Sequence, residues 1–264
     1  MTDLVLFVFV LAAGLIIGSF LNVCIYRIPR GESVAFPASH CPSCDRPLRW
    51  FENVPVVSWL VLRGRCRTCR TAIPASYPLV EAVTGAVFAG AFLVYGPTPL
   101  LAVRLLFACA LIVLFMIDLR HQILPNIITV PGTLVGFGLS FLLEPGWSSS
   151  LLGLLIGGIF PLVVAEGYLR LRGREGMGMG DVKMLAMVGA FLGWPLVWIC
   201  LLLACVLGIL VGGGGLLLTR RVMATRIPFG TFIAVAALVA LFVGEPMTHS
   251  YESALDSYVE WVSR

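Results

Sequence analysis

Charge is scarce in this chain. Aspartate, glutamate, lysine and arginine make up 12% of its 264 residues, about half the share of an ordinary soluble domain. Long polar stretches are scarce as well: 59% of the residues are hydrophobic, the mean hydropathy is +0.99, and apolar runs recur to within about 20 residues of the C-terminus. A secretory signal peptide would be short and followed by a polar mature chain, so this pattern excludes a secreted or cytosolic protein. No GxGxxG motif follows a strand pattern, which leaves no Rossmann nucleotide site. There is no internal repeat, coiled coil or low-complexity tract, and nothing supports nucleic-acid binding. The net charge of +4 says little, because in a membrane protein the position of the charges carries the information. Glycine, by contrast, is plentiful: 28 residues, as expected where helices pack closely through small side chains in lipid.

What is present is a series of apolar segments. They are near 4–26, 79–96, 99–117, 127–143, 151–169, 182–194, 196–218 and 228–244, and together they predict an all-α polytopic membrane protein with about eight transmembrane helices. The sixth is too short to cross comfortably and is closed by Pro195, so it is tilted or merged with its neighbour and the count is open by one. Basic residues gather on the cytoplasmic side of membrane proteins. With the N-terminus outside, all of the 18 Lys and Arg residues except Arg104 and Arg264 fall in cytoplasmic segments. The opposite loops, Gly96 to Pro99, Glu144 to Ser150 and the turn at Trp194, carry none. Both termini are therefore expected outside. The expected organisation is a first transmembrane helix (1–27), a cytoplasmic insertion (28–78), a transmembrane core (79–244) and an extracytoplasmic tail (245–264), with Met247 to Arg264 able to form a short amphipathic helix.

The insertion is rich in Pro, Arg and Cys and too short for a large core; modules of that size usually need a metal or disulfides. Cys41-Pro-Ser-Cys44 and Cys66-Arg-Thr-Cys69 form two C-x-x-C knuckles at the separation of four-cysteine zinc sites. Two residues between thiolates let each knuckle present both sulfurs to one tetrahedral ion. Four cysteines fill the coordination sphere, so Cys41, Cys44, Cys66 and Cys69 predict a structural rather than a catalytic Zn2+. A disulfide or redox reading is disfavoured in a loop that faces the reducing cytoplasm. Cys24, Cys109, Cys200 and Cys205 lie in apolar spans as small buried side chains. His40 is a spare ligand or a solvated loop residue.

Carboxylates next to hydrocarbon are expensive and mark functional positions. Asp118 ends the third span, and Asp181 opens the sixth behind Gly176-Met177-Gly178-Met179-Gly180; by the charge argument both lie at the inner face. If two such carboxyls met, their like charges would leave them sharing a proton. That is the arrangement of an aspartic protease, in which one carboxylate takes a proton from water and its partner donates to the peptide carbonyl. Glycines without Cβ, Gly178 and Gly180 among them, would let an extended peptide come close. Helix-capping aspartates, an ion or proton pathway and ordinary loop carboxylates are open alternatives. Arg104 and Glu166 lie within spans, where mutual or backbone pairing suffices. Glu81 and Asn22 are candidates for a pocket at the cytoplasmic face, against helix-packing contacts as the alternative. Gly212 to Gly215 read as a packing seam.

Taken together, the motifs resemble the bifunctional prepilin peptidases, membrane aspartic proteases of type IV pilus and type II secretion systems. The resemblance rests on Gly18-Ser19-Phe20-Leu21-Asn22-Val23 leading to Tyr26-Arg27-Ile28-Pro29, on Cys41 to Cys69 with Glu52-Asn53-Val54-Pro55, and on Tyr77-Pro78-Leu79-Val80-Glu81. It continues through Asp118, Leu124-Pro125, Gly176 to Lys183 and Pro228-Phe229-Gly230. It implies Asp118 and Asp181 as the catalytic pair, with Gly178-Met179-Gly180-Asp181 as the GxGD signature and Gly178, Gly180, Lys183, Glu81 and Asn22 as substrate or loop support. It implies cleavage of prepilin and pseudopilin leaders at the cytoplasmic face of the bacterial inner membrane, in contact with membrane lipid, after a glycine and before a residue that is usually phenylalanine. It also implies methylation of the new amino terminus with S-adenosylmethionine. Asn126, Thr231 and Cys24 depart from the family pattern, and none touches the two aspartates. Competing readings are a transporter or channel using Asp118 and Asp181, a non-enzymatic assembly factor, and a peptidase without methylation. Ionisable groups at one face rather than mid-bilayer argue against the first, and the GxGD loop against the second.

Overall fold

The computed structural model describes residues 2–174, 176–219 and 228–244, and the side chains of all of these except 2 and 212–219. The expected tail helix and Arg220, Arg221 and Arg226 lie outside that description; Gly212 to Gly215 are helical within it, and the seam they were expected to form lies outside the described side chains. Among the described residues there is no β-strand, only two isolated bridges, His40 with Pro47 and Arg65 with Ala72. The helices are α1 (Thr2–Arg27), α2 (Val57–Val61), α3 (Ser76–Tyr95), α4 (Pro99–His121), α5 (Asn126–Leu139), α6 (Trp147–Arg172) and α7 (Met179–Thr219), followed by α8 (Phe229–Gly244). Two 3-10 turns, Ile28–Arg30 and Trp50–Asn53, lie before α2.

Each expected apolar segment contains a helix, the fourth ending at Leu139 rather than at residue 143, and α1, α3, α4, α6 and α7 are long and apolar enough to cross a membrane, whereas α5 and α8 are shorter apolar helices. The protein is thus all-helical and membrane-embedded. The sixth and seventh segments run together as α7, interrupted at Gly193 with φ 81° and ψ 176°. Pro195 has no N–H to donate and its ring crowds the preceding turn, which explains a break at this point. Only glycine suits it: a Cβ on Gly193 would lie 2.5 Å from Ser149 Oγ. Elsewhere the ends are set locally. Thr98 accepts the Leu101 N–H at 3.3 Å with Pro99 opening α4, an N-cap followed by a residue with no N–H to satisfy. Gly173 at φ 65° closes α6.

The chain divides into two compact units after Gly132, within α5. In the first, α1, α3 and α4 pack on one another. Glycines set the closest approach: a Cβ on Gly14 would sit 2.7 Å from Phe88 Cβ, and one on Gly18 2.7 Å from Glu81 Cα. The most hydrophobic window of α4 is 61% buried against 17% for α1, so α4 is the interior helix. Phe107, Leu111 and Leu114, at helical spacing along it, are fully buried. In the second unit α6 and α7 pack closely through Gly153, Gly157 and Gly189, where backbone meets backbone, and Ser150 Oγ donates to the Ala190 carbonyl at 2.7 Å. Ile233, Ala234, Ala237 and Leu241 of α8 are buried, and Phe232 lies against Gly208 of α7. Many large apolar side chains of the long helices, Leu4, Phe9, Leu93, Val163 and Ile209 among them, remain exposed, as lipid contact requires.

Candidate metal module and candidate active site

The insertion between α1 and α3 is built from two knuckles of the same design. In each, the first cysteine's N–H donates to the carbonyl five residues on, Cys41 to Arg46 at 3.0 Å and Cys66 to Thr71 at 2.9 Å. In each, the first cysteine's carbonyl accepts from the residue four on, Asp45 at 2.9 Å and Arg70 at 3.1 Å. Asp45 and Arg70 take positive φ, 52° and 61°, the left-handed step that turns the chain back after the second cysteine. The result is a cage. All four Sγ atoms lie within 4.8 Å of one another, and those of Cys41 and Cys69 are 3.7 Å apart. Two sulfurs bound to one tetrahedral zinc at Zn–S near 2.3 Å stand about 3.8 Å apart, so the cage fits such an ion. All eight cysteines are unpaired, and His40, whose Nδ1 lies 3.1 Å from the Ala38 carbonyl, is not part of the cluster. The Cys69 thiol is pulled down to about 6, first by its hydrogen bond with the Thr71 hydroxyl and then by the Thr71 N–H. Cys66 is lowered by the N–H groups of Cys69 and Thr68. Both shifts favour the thiolate that a metal needs.

The sequence reading placed Glu52 in a motif without a role, and the structure supplies one. Glu52 is buried, accepting from Arg46 Nη2 at 2.7 Å and from the Arg49 N–H at 2.8 Å. Arg46 holds its carboxyl below the usual carboxylate range, with the Arg49 N–H adding to the effect. The pair ties the first knuckle to the Trp50–Asn53 turn. Its only sequence signal is an acidic residue six positions after Arg46, among arginines. Arg27, likewise quoted only within a motif, gains a role: buried at the end of α1, it donates to the Ser33 and Pro37 carbonyls at 2.9 and 2.7 Å and so fixes the chain as it enters the module.

Glu81 and Asn22 couple module to helices. Glu81 Oε2 accepts the Val56 N–H at 2.7 Å, Asn22 Nδ2 donates to the Tyr77 carbonyl at 3.1 Å, and Arg120 Nη2 donates to Ser76 Oγ at 2.6 Å. Glu81 and Asn22 also line a cavity of about 230 Å3 between the module and the ends of α1 and α3, so these contacts and a pocket coexist.

Asp118 is buried near the C-terminal end of α4, one step further along the stripe of Phe107, Leu111 and Leu114. The negative end of the helix dipole disfavours an acidic side chain there, so capping does not explain it. Asp181, half-buried in the second unit, lies in the first turn of α7, where a carboxylate is favoured. A Cβ on Gly178 would meet Asp181 Oδ2 at 3.4 Å, an ordinary contact. Gly180 and Lys183 lie in the same first turns of α7. Of the remaining intramembrane charges, Arg104 is buried with its guanidinium 5.8 Å from the Tyr95 ring centroid, and Glu166 pairs with Arg170 one turn on at 2.8 Å.

These features define a polytopic helical membrane protein with a four-thiolate module and carboxylates at the ends of two of its long helices. The bacterial peptidase A24 N-terminal domain matches residues 12–95, and the type IV leader peptidase family matches residues 105–213. A prepilin leader peptidase/N-methyltransferase of Stutzerimonas stutzeri is 36% identical over 91% of this chain and 92% of the relative. One from Myxococcus xanthus is 42% identical over 81% of this chain and 64% of the relative. One from Pseudomonas aeruginosa is 33% identical over 90% of each. No solved structure matches the chain. The chain belongs to the type IV leader peptidase family, a family of aspartic proteases.

Proposed function

We propose that the protein removes the leader peptides of type IV prepilins and pseudopilins at the cytoplasmic face of the inner membrane and N-methylates the amino terminus it exposes. Asp118 and Asp181 supply the two carboxyls. The observation that carries this reading is Asp118, a buried carboxylate at the helix end where neither capping nor the dipole accounts for it, in a chain similar over nine-tenths of its length to prepilin leader peptidase/N-methyltransferases. One aspartate takes a proton from water as its oxygen bonds to the scissile carbonyl carbon. The other protonates the carbonyl oxygen, and as the C–N bond breaks a proton passes to the departing amine. The pair titrates as a unit.

A pilin precursor with a short basic leader and a long apolar helix would hold its leader in the cytoplasm by the positive-inside tendency. Its scissile bond then sits at the inner interface, where the charge pattern places both aspartates. Gly178 and Gly180 admit the extended backbone, and Lys183, Glu81 and Asn22 support the loop and the substrate. Zn2+ in the four-cysteine cage orders the insertion and takes no part in the chemistry. S-adenosylmethionine, when bound, supplies the methyl group. The test is mass spectrometry of a synthetic prepilin incubated with purified protein and this donor. A product beginning after the leader's glycine and heavier by one methyl supports the proposal; an intact precursor overturns it.

A further inference from the structure

The short helix α2 turns an apolar edge outward. Val57, Leu60 and Val61, at i, i+3 and i+4, form one stripe along it, and all three are exposed, Leu60 to 61% and Val61 to 75%. The other side of α2 packs inward: Trp59 Nε1 donates to the Ile73 carbonyl at 3.0 Å, and a Cβ on Gly64 would press on the Trp59 ring. In the neighbouring Trp50–Asn53 turn, Trp50 is 82% exposed. A contiguous apolar patch of this kind marks a surface that something covers.

One hydrogen bond fixes the level of the stripe along the long helices. The N–H of Val56, the residue that opens α2, donates to Glu81 Oε2 at 2.7 Å. Val56 takes φ 61°, which is costly for a β-branched residue and persists only where the surroundings hold it. Glu81 lies five residues into α3, about 8 Å from its start. Its Cα also faces Gly18, nine residues before the end of α1 and so about 13 Å short of that end. α2 therefore starts level with the first turns of α3 and short of the end of α1, at the depth of a membrane interface. Phe20 of α1 and Leu79 of α3 are themselves exposed near that level, as lipid-facing residues are. Around the stripe the module is basic. Arg30, Arg49, Arg63, Arg65, Arg67 and Arg70 are exposed, against Glu32 and Asp45 as the exposed acidic residues of 28–75. Aliphatic side chains bordered by arginine and tryptophan at interface depth suit an anionic lipid surface, and the same charge repels a basic peptide.

We propose that α2 is an interfacial anchor. Val57, Leu60 and Val61 enter the acyl boundary of the leaflet on the module's side, and Arg63 and Arg65, next in the chain, meet the phosphates of anionic phospholipid there. The anchor holds the metal module against the bilayer. This inference uses only the membrane embedding of the helices and stands apart from cleavage and methylation, so its failure would leave the proposed function untouched.

The test is photochemical capture. Full-length protein carrying Val61→p-benzoylphenylalanine is placed in nanodiscs of equal phosphatidylglycerol and phosphatidylcholine, irradiated and mapped by mass spectrometry. Val57→p-benzoylphenylalanine is a second probe should the first not fold, with zinc content reporting the module's integrity. The peptide spanning the probe should gain a phospholipid, the glycerol lipid captured over the choline lipid by about threefold or more. Salt at about 1 M and, separately, Arg63→Gln with Arg65→Gln should each bring that ratio close to one. Cross-links to a second copy, to another protein segment, or no lipid adduct from a folded probe would overturn the anchor. A ratio near one at low salt with both arginines present would overturn the recognition of anionic lipid.

Discussion

Gly157 and Gly158 are neighbours on α6, and alanine at the two positions should have opposite consequences. A Cβ on Gly157 would lie 2.2 Å from the Leu185 carbonyl oxygen of α7, whereas one on Gly158 would meet Ala186 Cβ at 3.4 Å. The first is about 1.2 Å short of ordinary contact, and the obstacle is backbone, which does not rotate away. Relief requires α6 and α7 to move apart where Gly153 and Gly189 are equally close: a Cβ on Gly189 would lie 2.0 Å from the Gly153 oxygen. Overpacking of this kind costs about 1–3 kcal/mol and more where backbone must shift. At ~2–4 °C per kcal/mol for a chain of this size, Gly157→Ala should lower the melting temperature by roughly 6 °C or more. Gly158→Ala meets no obstacle and replaces glycine by a better helix former, a gain of up to about 1 kcal/mol. Thermal unfolding of both variants in one detergent decides. Equal melting temperatures, or Gly158→Ala as the more damaging change, would refute the claim that α6 and α7 touch backbone to backbone.

Glu52→Gln should loosen the metal module by about 1.5–3 kcal/mol, the worth of a hydrogen bond to a charged group, read as easier loss of zinc to a chelator. Because the Glu52 carboxyl is held below its usual range, its contribution is present above that range and is lost as pH falls through the lowered value, so the difference in thermal stability between wild type and variant should shrink as pH falls below the usual carboxylate range. In metal-stripped protein at pH 7, Cys69, exposed and held to about 6 by Thr71, should be alkylated by iodoacetamide before the buried Cys41, as peptide mapping will tell. Gly178→Ala should retain leader cleavage, its Cβ reaching Asp181 Oδ2 only at ordinary contact. Valine at 178 or 180 should slow cleavage about tenfold or more, measured as a time course at matched expression.

The helices were legible because lipid imposes a simple rule: backbone groups must be satisfied within the segment and the side chains must be apolar. The four-cysteine cage was legible because a metal fixes the residue type and the spacing at once. The interior of the module was not. Asp45 and Arg70 take left-handed dihedrals that no residue preference announces, and the Arg46–Glu52 contact joins two charges in a segment crowded with others. Pro195 signalled the break in α7, but the break falls at Gly193, because Ser149 and Pro145 crowd that point in space and not in sequence. Glu81 and Asn22 stood out as polar residues near apolar runs, yet Val56 and Tyr77 meet them through main-chain groups, which no side-chain pattern encodes, and only the Ser19 hydroxyl beside Glu81 belongs to a motif.

The central claim is that Asp118 and Asp181 together cut the peptide bond. Asp118→Asn and Asp181→Asn keep side-chain volume and remove the proton exchange that general acid–base catalysis requires. Each single variant, purified with wild-type zinc content and melting behaviour, should leave a synthetic prepilin uncut at times when the wild type has consumed it, a loss of about 100-fold or more. A folded single variant that cleaves at a rate near the wild type's would contradict the assignment.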